Sequence, residues 1–222
     1  LAQTYQVRVV GITLSERQHK RACAECARLE LQHLVDFRLI DYRNLNERFD
    51  RIVSVGMFEH VGLAHYDEFF AKIQQLLSAD GAALLHTIAR LHGPNNTSRW
   101  ITKYIFLDGK IPALSEIAAP VERLGLHLCD LEVLRLHYAM TLRQWRHRFL
   151  ANRKQAAQLY DDRFCRMWEF YLASSEVAFR YQGLSIFQLQ FSNRMDALPL
   201  TRRFMTDEEE RLIQVAGIPL PR

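Results

Sequence analysis

Residues 49–62 read Phe-Asp-Arg-Ile-Val-Ser-Val-Gly-Met-Phe-Glu-His-Val-Gly, and the strand-like composition of this stretch ends at Gly56. Its first seven residues are rich in β-branched side chains and predict a strand. Gly56 allows the chain to turn, and Glu59 and His60 follow directly. Ligands of parallel sheets bind beyond the carboxyl ends of the strands. A strand followed so closely by an acid and an imidazole therefore predicts a functional sheet edge.

Further strands and helices are predicted on both sides of this stretch. Strand-like composition recurs at residues 5–12, 34–40, 82–88, 126–136 and 184–191. Helical periodicity occupies residues 15–31, 65–77 and 115–124. In the first of these helices we expect Ser15 to be the N-cap, with the Gln18 side chain reaching back to it. The alternation of strands and helices predicts a parallel, doubly wound α/β sheet.

Composition limits the classes of protein to consider. The 222 residues are 49% hydrophobic, and 29 basic against 25 acidic residues give a formal net charge of +4. This charge suits anionic partners, but no nucleic-acid-binding motif accompanies it. No apolar run reaches the ~20 residues of a membrane span, and few cysteines favour a reducing cytoplasm. We interpret Cys23 and Cys26 as helix residues and expect no metal site.

Residues 138–181 form a long helical pattern rich in aromatic residues. Two interpretations are open: amphipathic helices packed on the sheet, or a helical lid that lines a pocket for a long apolar ligand. Basic residues surround Trp145 and Phe149 in this segment, and they indicate either contact with anionic lipid headgroups or a solvated face. These basic residues are Arg143, Arg146, Arg148, Arg153 and Lys154.

Polar residues near the predicted carboxyl ends of the strands are candidates for one site. They are Thr13, Asp41, Tyr42, Glu59, His60, His86, His137 and Tyr138. Taken singly, Glu59 could be an acid that stabilises a helix N-terminus, and His86 could be a hydrogen-bonded core histidine. We expect the set to converge, because parallel strands end at the same sheet edge.

Several motifs together resemble those of the cyclopropane-fatty-acyl-phospholipid synthase and mycolic acid cyclopropane synthase family. They are Gly11-Ile-Thr-Leu-Ser15, Asp41-Tyr-Arg43, residues 49–62, Leu85-His-Thr-Ile88, Lys103-Tyr-Ile-Phe106 and Thr141-Leu-Arg-Gln-Trp145. The resemblance runs from about Val7 to Ser192. It implies an α/β fold, namely a Rossmann-like class I methyltransferase sheet with helices on both faces and a helical lipid-binding insertion. It also implies transfer of a methylene group from S-adenosylmethionine to the cis double bond of a phospholipid acyl chain.

The resemblance assigns roles to individual residues. On the cofactor, the methionine and ribose side is assigned to Thr13, Leu14 and Gln18, the adenine to Asp41 and Tyr42, and the reactive end to Val55 and Gly56. A bicarbonate ion, which the family uses as a base, is assigned to Glu59, His86 and Tyr138. Ser175 stands where a cysteine is common in the family, which weakens any role for that position.

The resemblance also sets expectations for domains and partners. The family's first strand and glycine-rich loop would precede Tyr5, and we expect their absence to leave two strand edges unpaired. Residues 1–191 would be a partial methyltransferase domain, with 138–181 as the insertion covering the acyl pocket and 192–222 as a C-terminal tail. The expected partners are phospholipid acyl chains and an anionic membrane surface at the inner face of the membrane, with a homodimer as one option. Alternatives are a related C- or N-methyltransferase, or a fragment that does not bind the cofactor alone.

Overall fold

The computed structural model describes residues 1–107 and 109–216, and the chain divides into a first unit, residues 1–48, and a second unit that begins at Phe49. The strands are β1 (Val9–Thr13), β2 (Val35–Leu39), β3 (Phe49–Val55), β4 (Leu77–Arg90), β5 (His127–Leu134) and β6 (Leu184–Ser192). The helices are α1 (Ala2–Tyr5), α2 (Glu16–Arg28), α3 (Tyr66–Leu76), α4 (Arg99–Tyr104), α5 (Leu114–Leu124), α6 (His137–Ala151), α7 (Arg153–Leu159), α8 (Asp162–Tyr181) and α9 (Arg203–Ala216).

The first unit is a parallel β1–β2 pair with α2 between its strands in sequence. Gly11 lies opposite Phe37, and a Cβ atom at Gly11 would come within 2.5 Å of the Phe37 ring. The close approach of this ring therefore requires glycine in β1. The first strand begins at Val9 instead of residue 5, because α1 occupies residues 2–5 and Gln6 turns the chain with φ 53°.

Ser15 is the N-cap of α2, as predicted, and its side chain accepts a hydrogen bond from the Gln18 amide. The expected return contact from Gln18 was wrong. The Ser15 amide donates to Thr13 Oγ1 at 3.1 Å, while the Gln18 side-chain oxygen accepts from the Thr13 hydroxyl at 2.8 Å. Thr13 satisfies the amide that Gln18 was expected to satisfy, because its hydroxyl already lies at the start of the helix.

The second unit contains a four-stranded sheet in the order β3-β4-β6-β5. β3 and β4 are parallel, whereas β6 is antiparallel to both of its neighbours. The expectation of a wholly parallel sheet was therefore wrong for β6. The reason is the helix pair before it: Tyr138 near the start of α6 contacts Phe179 near the end of α8, at 4.9 Å between ring centroids. The chain returns to the end of the sheet at which β5 finished, so β6 runs back along β5.

Helices cover both faces of this sheet, as expected. Successive side chains of a strand point to opposite faces. Phe191 of β6 contacts Phe70 of α3 on one face, at 5.5 Å between ring centroids. Ile186, of opposite parity, packs with Leu142 of α6 and Leu172 of α8 on the other face.

The helical insertion consists of α6, α7 and α8. Ala139 and Leu142 on α6 and Leu172 on α8 are buried in a core that includes Ile186 of the sheet. The interpretation of 138–181 as amphipathic helices packed on the sheet is thus confirmed. Several large side chains of the insertion remain exposed, including Phe170 at 55%.

β1 and β3 are both edge strands in the part of the chain that the structure describes. β1 pairs with β2 alone, and β3 pairs with β4 alone. These are the two edges that the family resemblance expects to be unpaired when its first strand is absent.

The segment after β6 contains α9, which begins at Arg203, and the preceding Arg202 forms an ion pair with Asp130 of β5. Residues 217–222 of the expected C-terminal tail lie outside the described residues. Within residues 1–107 and 109–216, no helix is both long and apolar enough to cross a bilayer.

Replacement of Gly11 by alanine is expected to destabilise the first unit by about 1–3 kcal/mol, because the added methyl group overlaps the Phe37 ring. Hydrogen exchange of the β1 and β2 amides, followed by mass spectrometry, measures this change. The double variant G11A/F37L should recover protection, because leucine vacates the space of the ring. Equal exchange in G11A and wild type would contradict the packing argument.

Candidate active site

Glu59 is held at the carboxyl end of β3 by the turn that follows the strand. Gly56, with φ 63°, donates its amide hydrogen to the His86 carbonyl at 3.1 Å. A short 3₁₀ helix, Phe58–His60, follows, and the fully buried Phe58 ring stacks on Tyr66 at 4.2 Å between centroids. This buried ring fixes the position of its neighbour, Glu59.

The two carboxylate oxygens of Glu59 have different environments. The side chain is buried, and Oε1 accepts a 2.7 Å hydrogen bond from the Ile88 amide of β4. Oε2 is also buried and has no hydrogen-bond partner among the described residues. Buried polar atoms are usually hydrogen-bonded, so Oε2 is positioned to receive a donor from a ligand.

His86 lies within β4, level with the last residue of β3, because it is paired with Val55. Its Nδ1 is 3.1 Å from the side-chain nitrogen of Gln188 on β6. An amide nitrogen only donates, so Nδ1 is the acceptor in this pair. His86 and Ile88 share one face of β4, because they are two residues apart.

Tyr138 is near the start of α6, in contact with the rings of Phe179 and Trp145. Burial raises the pKa of the Tyr138 phenol, and the negative charge of Glu59 raises this pKa further. The carboxylate therefore lies close enough to act electrostatically on the phenol. Tyr138 also packs, like Ile88, against the core formed by α6, α8 and β6.

The structure brings the acid and the phenol predicted for catalysis into one buried region, with His86 on the same face of the sheet. Glu59 is bonded to Ile88, two residues along β4 from His86, and it perturbs Tyr138. The set can present a carboxylate acceptor, an imidazole and a phenol donor. The roles assigned to these side chains by the resemblance stay predictions.

Tyr171 on α8 extends this region and was not among the predicted site residues, whereas Ser175 was considered and given no role. Burial raises the pKa of Tyr171, Tyr138 raises it further, and a hydrogen bond with Ser175 opposes the shift. Tyr66 was also missed: burial, Glu116 and Glu59 raise its pKa. The spacing of Tyr171 and Ser175, four residues apart on a predicted helix, was a usable signal. Tyr66 had no such signal.

In the first unit, the residues predicted for the cofactor follow the carboxyl ends of the paired strands β1 and β2. Thr13 and Gln18 are hydrogen-bonded to each other, and Leu14 is 73% exposed. Hydrogen bonds from the Arg43 side chain and backbone amide hold the pKa of Asp41 below its ordinary value. Tyr42 begins the 3₁₀ helix that Asp41 caps.

In the second unit, Val55 and Gly56, predicted for the reactive end of the cofactor, lie at the carboxyl end of β3. The Val55 side chain is 63% exposed, and no atom lies within 4 Å of the position that a Cβ of Gly56 would occupy. Apolar surface and free space are thus available immediately before Glu59.

A cleft of about 630 Å³ lies between α4 and the first half of α8. It is lined by Trp100, Tyr104, Asp161, Arg163, Phe164, Arg166, Met167 and Phe170. A row of packed rings on α8 extends from this cleft towards the candidate site: Phe164 stacks on Trp168 at 5.9 Å, and Trp168 contacts Tyr171 at 5.1 Å between centroids.

A second cavity, of about 440 Å³, lies on the opposite face of the sheet and is lined by residues such as Ile117, Leu189 and Phe191. The side chains of Leu189 and Phe191 point away from the face that carries His86, because their parity differs from that of Gln188. This cavity is separate from the candidate site.

Comparison with known families agrees with this geometry. The family model described as mycolic acid cyclopropane synthetase matches residues 1–189. The chain belongs to this family. It is 40% identical over 196 residues to the cyclopropane-fatty-acyl-phospholipid synthase of Escherichia coli, covering 88% of this chain and 50% of that protein. It is 38% identical over 184 residues to the tuberculostearic acid methyltransferase UfaA1 of Mycobacterium tuberculosis, covering 80% and 43%. The chain thus spans about half the length of these curated relatives.

Solved structures of family members share the fold. The cyclopropane synthase MmaA2 from Mycobacterium tuberculosis superposes with a TM-score of 0.80 at 28% identity, covering 86% of this chain and 72% of that one. The mycolic acid cyclopropane synthase CmaA1, crystallised with SAH and CTAB, has a TM-score of 0.79 at 31% identity, covering 86% and 71%. The expected class I methyltransferase fold is therefore confirmed.

Replacing Glu59 with glutamine should lower the pKa of Tyr138, because removal of the negative charge makes the phenolate less unfavourable. Burial remains, so the pKa should stay above the ordinary value of about 10. Ultraviolet titration at alkaline pH measures the change, with Y138F and E59Q/Y138F identifying the Tyr138 component by difference. An unchanged Tyr138 titration in E59Q would show that the two groups are not coupled.

Proposed function

We propose that this protein transfers a methylene group from S-adenosylmethionine to the cis double bond of an unsaturated phospholipid acyl chain, forming a cyclopropane ring. The observation that carries the proposal is the buried carboxylate of Glu59, which has one oxygen without a hydrogen-bond partner among the described residues and whose charge adds to the raised pKa of the Tyr138 phenol. The aromatic lining of the 630 Å³ cleft, and the row of aromatic rings that follows it on α8, support an apolar substrate. The similarity to the E. coli cyclopropane-fatty-acyl-phospholipid synthase and the mycobacterial tuberculostearic acid methyltransferase supports the reaction class.

For the cofactor, we assign Thr13, Leu14 and Gln18 to the methionine and ribose side and Asp41 and Tyr42 to the adenine. Val55 and Gly56 are assigned to the reactive end. The exposed apolar side chains of Leu14 and Val55 suit a partly apolar ligand. The low pKa of Asp41 keeps its carboxylate ionised as a hydrogen-bond acceptor. Bound S-adenosylmethionine would supply an electrophilic methyl group.

For the base, we propose a bicarbonate ion held by Glu59, His86 and Tyr138. The unpartnered Oε2 of Glu59 is an acceptor, and bicarbonate has a hydroxyl group that can donate to it. The raised pKa of Tyr138 keeps the phenol protonated as a donor at neutral pH. Bound bicarbonate would supply a small proton acceptor at this point.

The chain's own residues orient the acyl chain. A methyl group added to one alkene carbon leaves positive charge on the other, and closure of the ring requires loss of a proton from that methyl group. The faces of aromatic residues such as Phe106 and Tyr171, 6.1 Å apart between centroids, can stabilise the cation without capturing it.

We propose that the protein acts in the cytoplasm, in peripheral contact with the anionic inner face of the membrane, where its phospholipid substrate lies. The insertion 138–181, as part of a methyltransferase domain comprising residues 1–191, would cover the acyl chain. A homodimer is compatible with this function.

A methyl-branched acyl chain is the second candidate product. The 38% identity to a tuberculostearic acid methyltransferase favours this alternative. Methyl transfer followed by loss of a proton from carbon gives a branched alkene, which has the same mass as the cyclopropane, so the NMR spectrum distinguishes the two products: vinyl protons indicate the alkene and cyclopropane protons the ring. The remaining alternative is that the chain is a fragment that does not bind the cofactor alone. Calorimetry tests this alternative, because such a fragment would give no heat of binding with S-adenosylmethionine.

The decisive experiment incubates the protein with S-adenosylmethionine and a detergent-dispersed unsaturated phospholipid. We expect a product heavier by one methylene group, with cyclopropane protons in its NMR spectrum. A methylated amine, or an unmodified lipid despite bound cofactor, would contradict the proposal.

Replacing Glu59 with glutamine should reduce kcat by about 100-fold or more, because the amide cannot replace the carboxylate charge that positions the base. The amide oxygen can still accept the Ile88 hydrogen bond, so the fold is retained. Cofactor binding, measured by calorimetry, should change little. Unchanged turnover in E59Q would exclude Glu59 from the reaction.

A further inference from the structure

The cleft between α4 and α8 opens at a surface that is both aromatic and basic. Phe170 is 55% exposed and Tyr104 44% exposed. Trp100 connects them, with its ring 4.8 Å from Phe170 and 5.8 Å from Tyr104. Exposed aromatic side chains grouped in this way commonly mark an interaction surface.

The cations of this surface are available for an external anion. Arg163 and Arg166 line the cleft, are exposed, and have no ion pair within the described ranges. Lys103 lies over the Tyr104 ring at 5.1 Å. The acidic residue in the lining, Asp161, caps α8 through a hydrogen bond from the Phe164 amide. The surface is therefore positive at the mouth of the cleft.

The basic residues first considered from the sequence are arranged differently. Arg146 pairs with Glu176 at 3.4 Å, and Arg153 pairs with Asp162 at 3.1 Å. Internal acids thus already neutralise two of those five cations. Arg143 and Arg148 on α6 are exposed, but they do not line the cleft.

We propose that the rim of the α4–α8 cleft docks on an anionic phospholipid bilayer, with Phe170 and Tyr104 at the headgroup level and Arg163 and Arg166 on lipid phosphates. This inference rests on the proposed function, because it supplies the route by which an acyl chain leaves the bilayer for the cleft. Aromatic rings favour the interface of a bilayer, and cations beside them add electrostatic attraction to an anionic surface. The two features coincide at the opening of an apolar cleft, which is the place where a lipid-modifying protein must meet its substrate.

The test is co-sedimentation of the protein with phosphatidylglycerol vesicles and with phosphatidylcholine vesicles. Wild type should bind the anionic vesicles, and binding should weaken as salt rises. R163E/R166E should reduce the partition coefficient on the order of tenfold or more. The matched control R143E/R148E changes the net charge by the same amount on α6 and should have a much smaller effect.

A further variant, F170S, tests the aromatic contribution. It should weaken the binding that persists at high salt, because this residual binding depends on the exposed ring. Equal losses in the two double variants would indicate attraction by net charge alone and would overturn the assignment to the cleft. Absence of binding to either vesicle, or selective binding of an acidic protein instead of vesicles, would also overturn it.

Failure of this inference can be separated from failure of the proposed function. The detergent-dispersed lipid assay of the wild-type protein does not require docking on a bilayer. Methylene transfer in detergent without vesicle binding would overturn the docking surface alone. Vesicle binding without methylene transfer would overturn the reaction and leave the surface standing.

Discussion

The candidate site depends on the hydrogen bond from the Ile88 amide to the Glu59 carboxylate. β3 ends at Val55, opposite His86, whereas β4 continues to Arg90. Beyond that point, the β4 amides have lost their neighbouring strand and need other acceptors. Glu59 Oε1 accepts from Ile88, and the Pro112 carbonyl accepts from Arg90. Because β3 ends before it reaches Ile88, the Ile88 amide has no strand partner and donates its hydrogen bond to the Glu59 carboxylate. This hydrogen bond holds an acidic side chain in the protein interior.

This arrangement explains how Glu59 can have a structural and a chemical role. One carboxylate oxygen completes the hydrogen bonding of the sheet, while the other has no partner among the described residues. Because the hydrogen bond to Oε1 fixes the orientation of the Glu59 carboxylate, Oε2 is held in a fixed orientation as well. Burial raises the pKa of both Tyr138 and Tyr171; the charge of Glu59 adds to the shift of Tyr138, and Tyr138 adds to that of Tyr171. Electrostatic effects of this kind are larger in a buried environment than in water.

The sequence was sufficient to predict the strands and the residues at their ends, because β-branched runs and glycine turns are local signals. The strand at 49–55 and the acid after it were predicted correctly. The direction of β6 was predicted wrongly, because it depends on the return of α8 alongside α6 and not on the composition of the strand. The link from Glu59 to Ile88 joins residues 29 positions apart, and no local pattern contains it. Tyr66 was missed for the same reason.

The two halves of α8 have different surroundings. The second half of α8 carries the buried Leu172 and Phe179, which pack on α6 and the sheet. The first half carries Phe164, Met167 and Phe170, which line the cleft beside α4. An amphipathic pattern alone does not distinguish these halves, since side chains that pack in a core and side chains that line an open cleft follow the same periodicity.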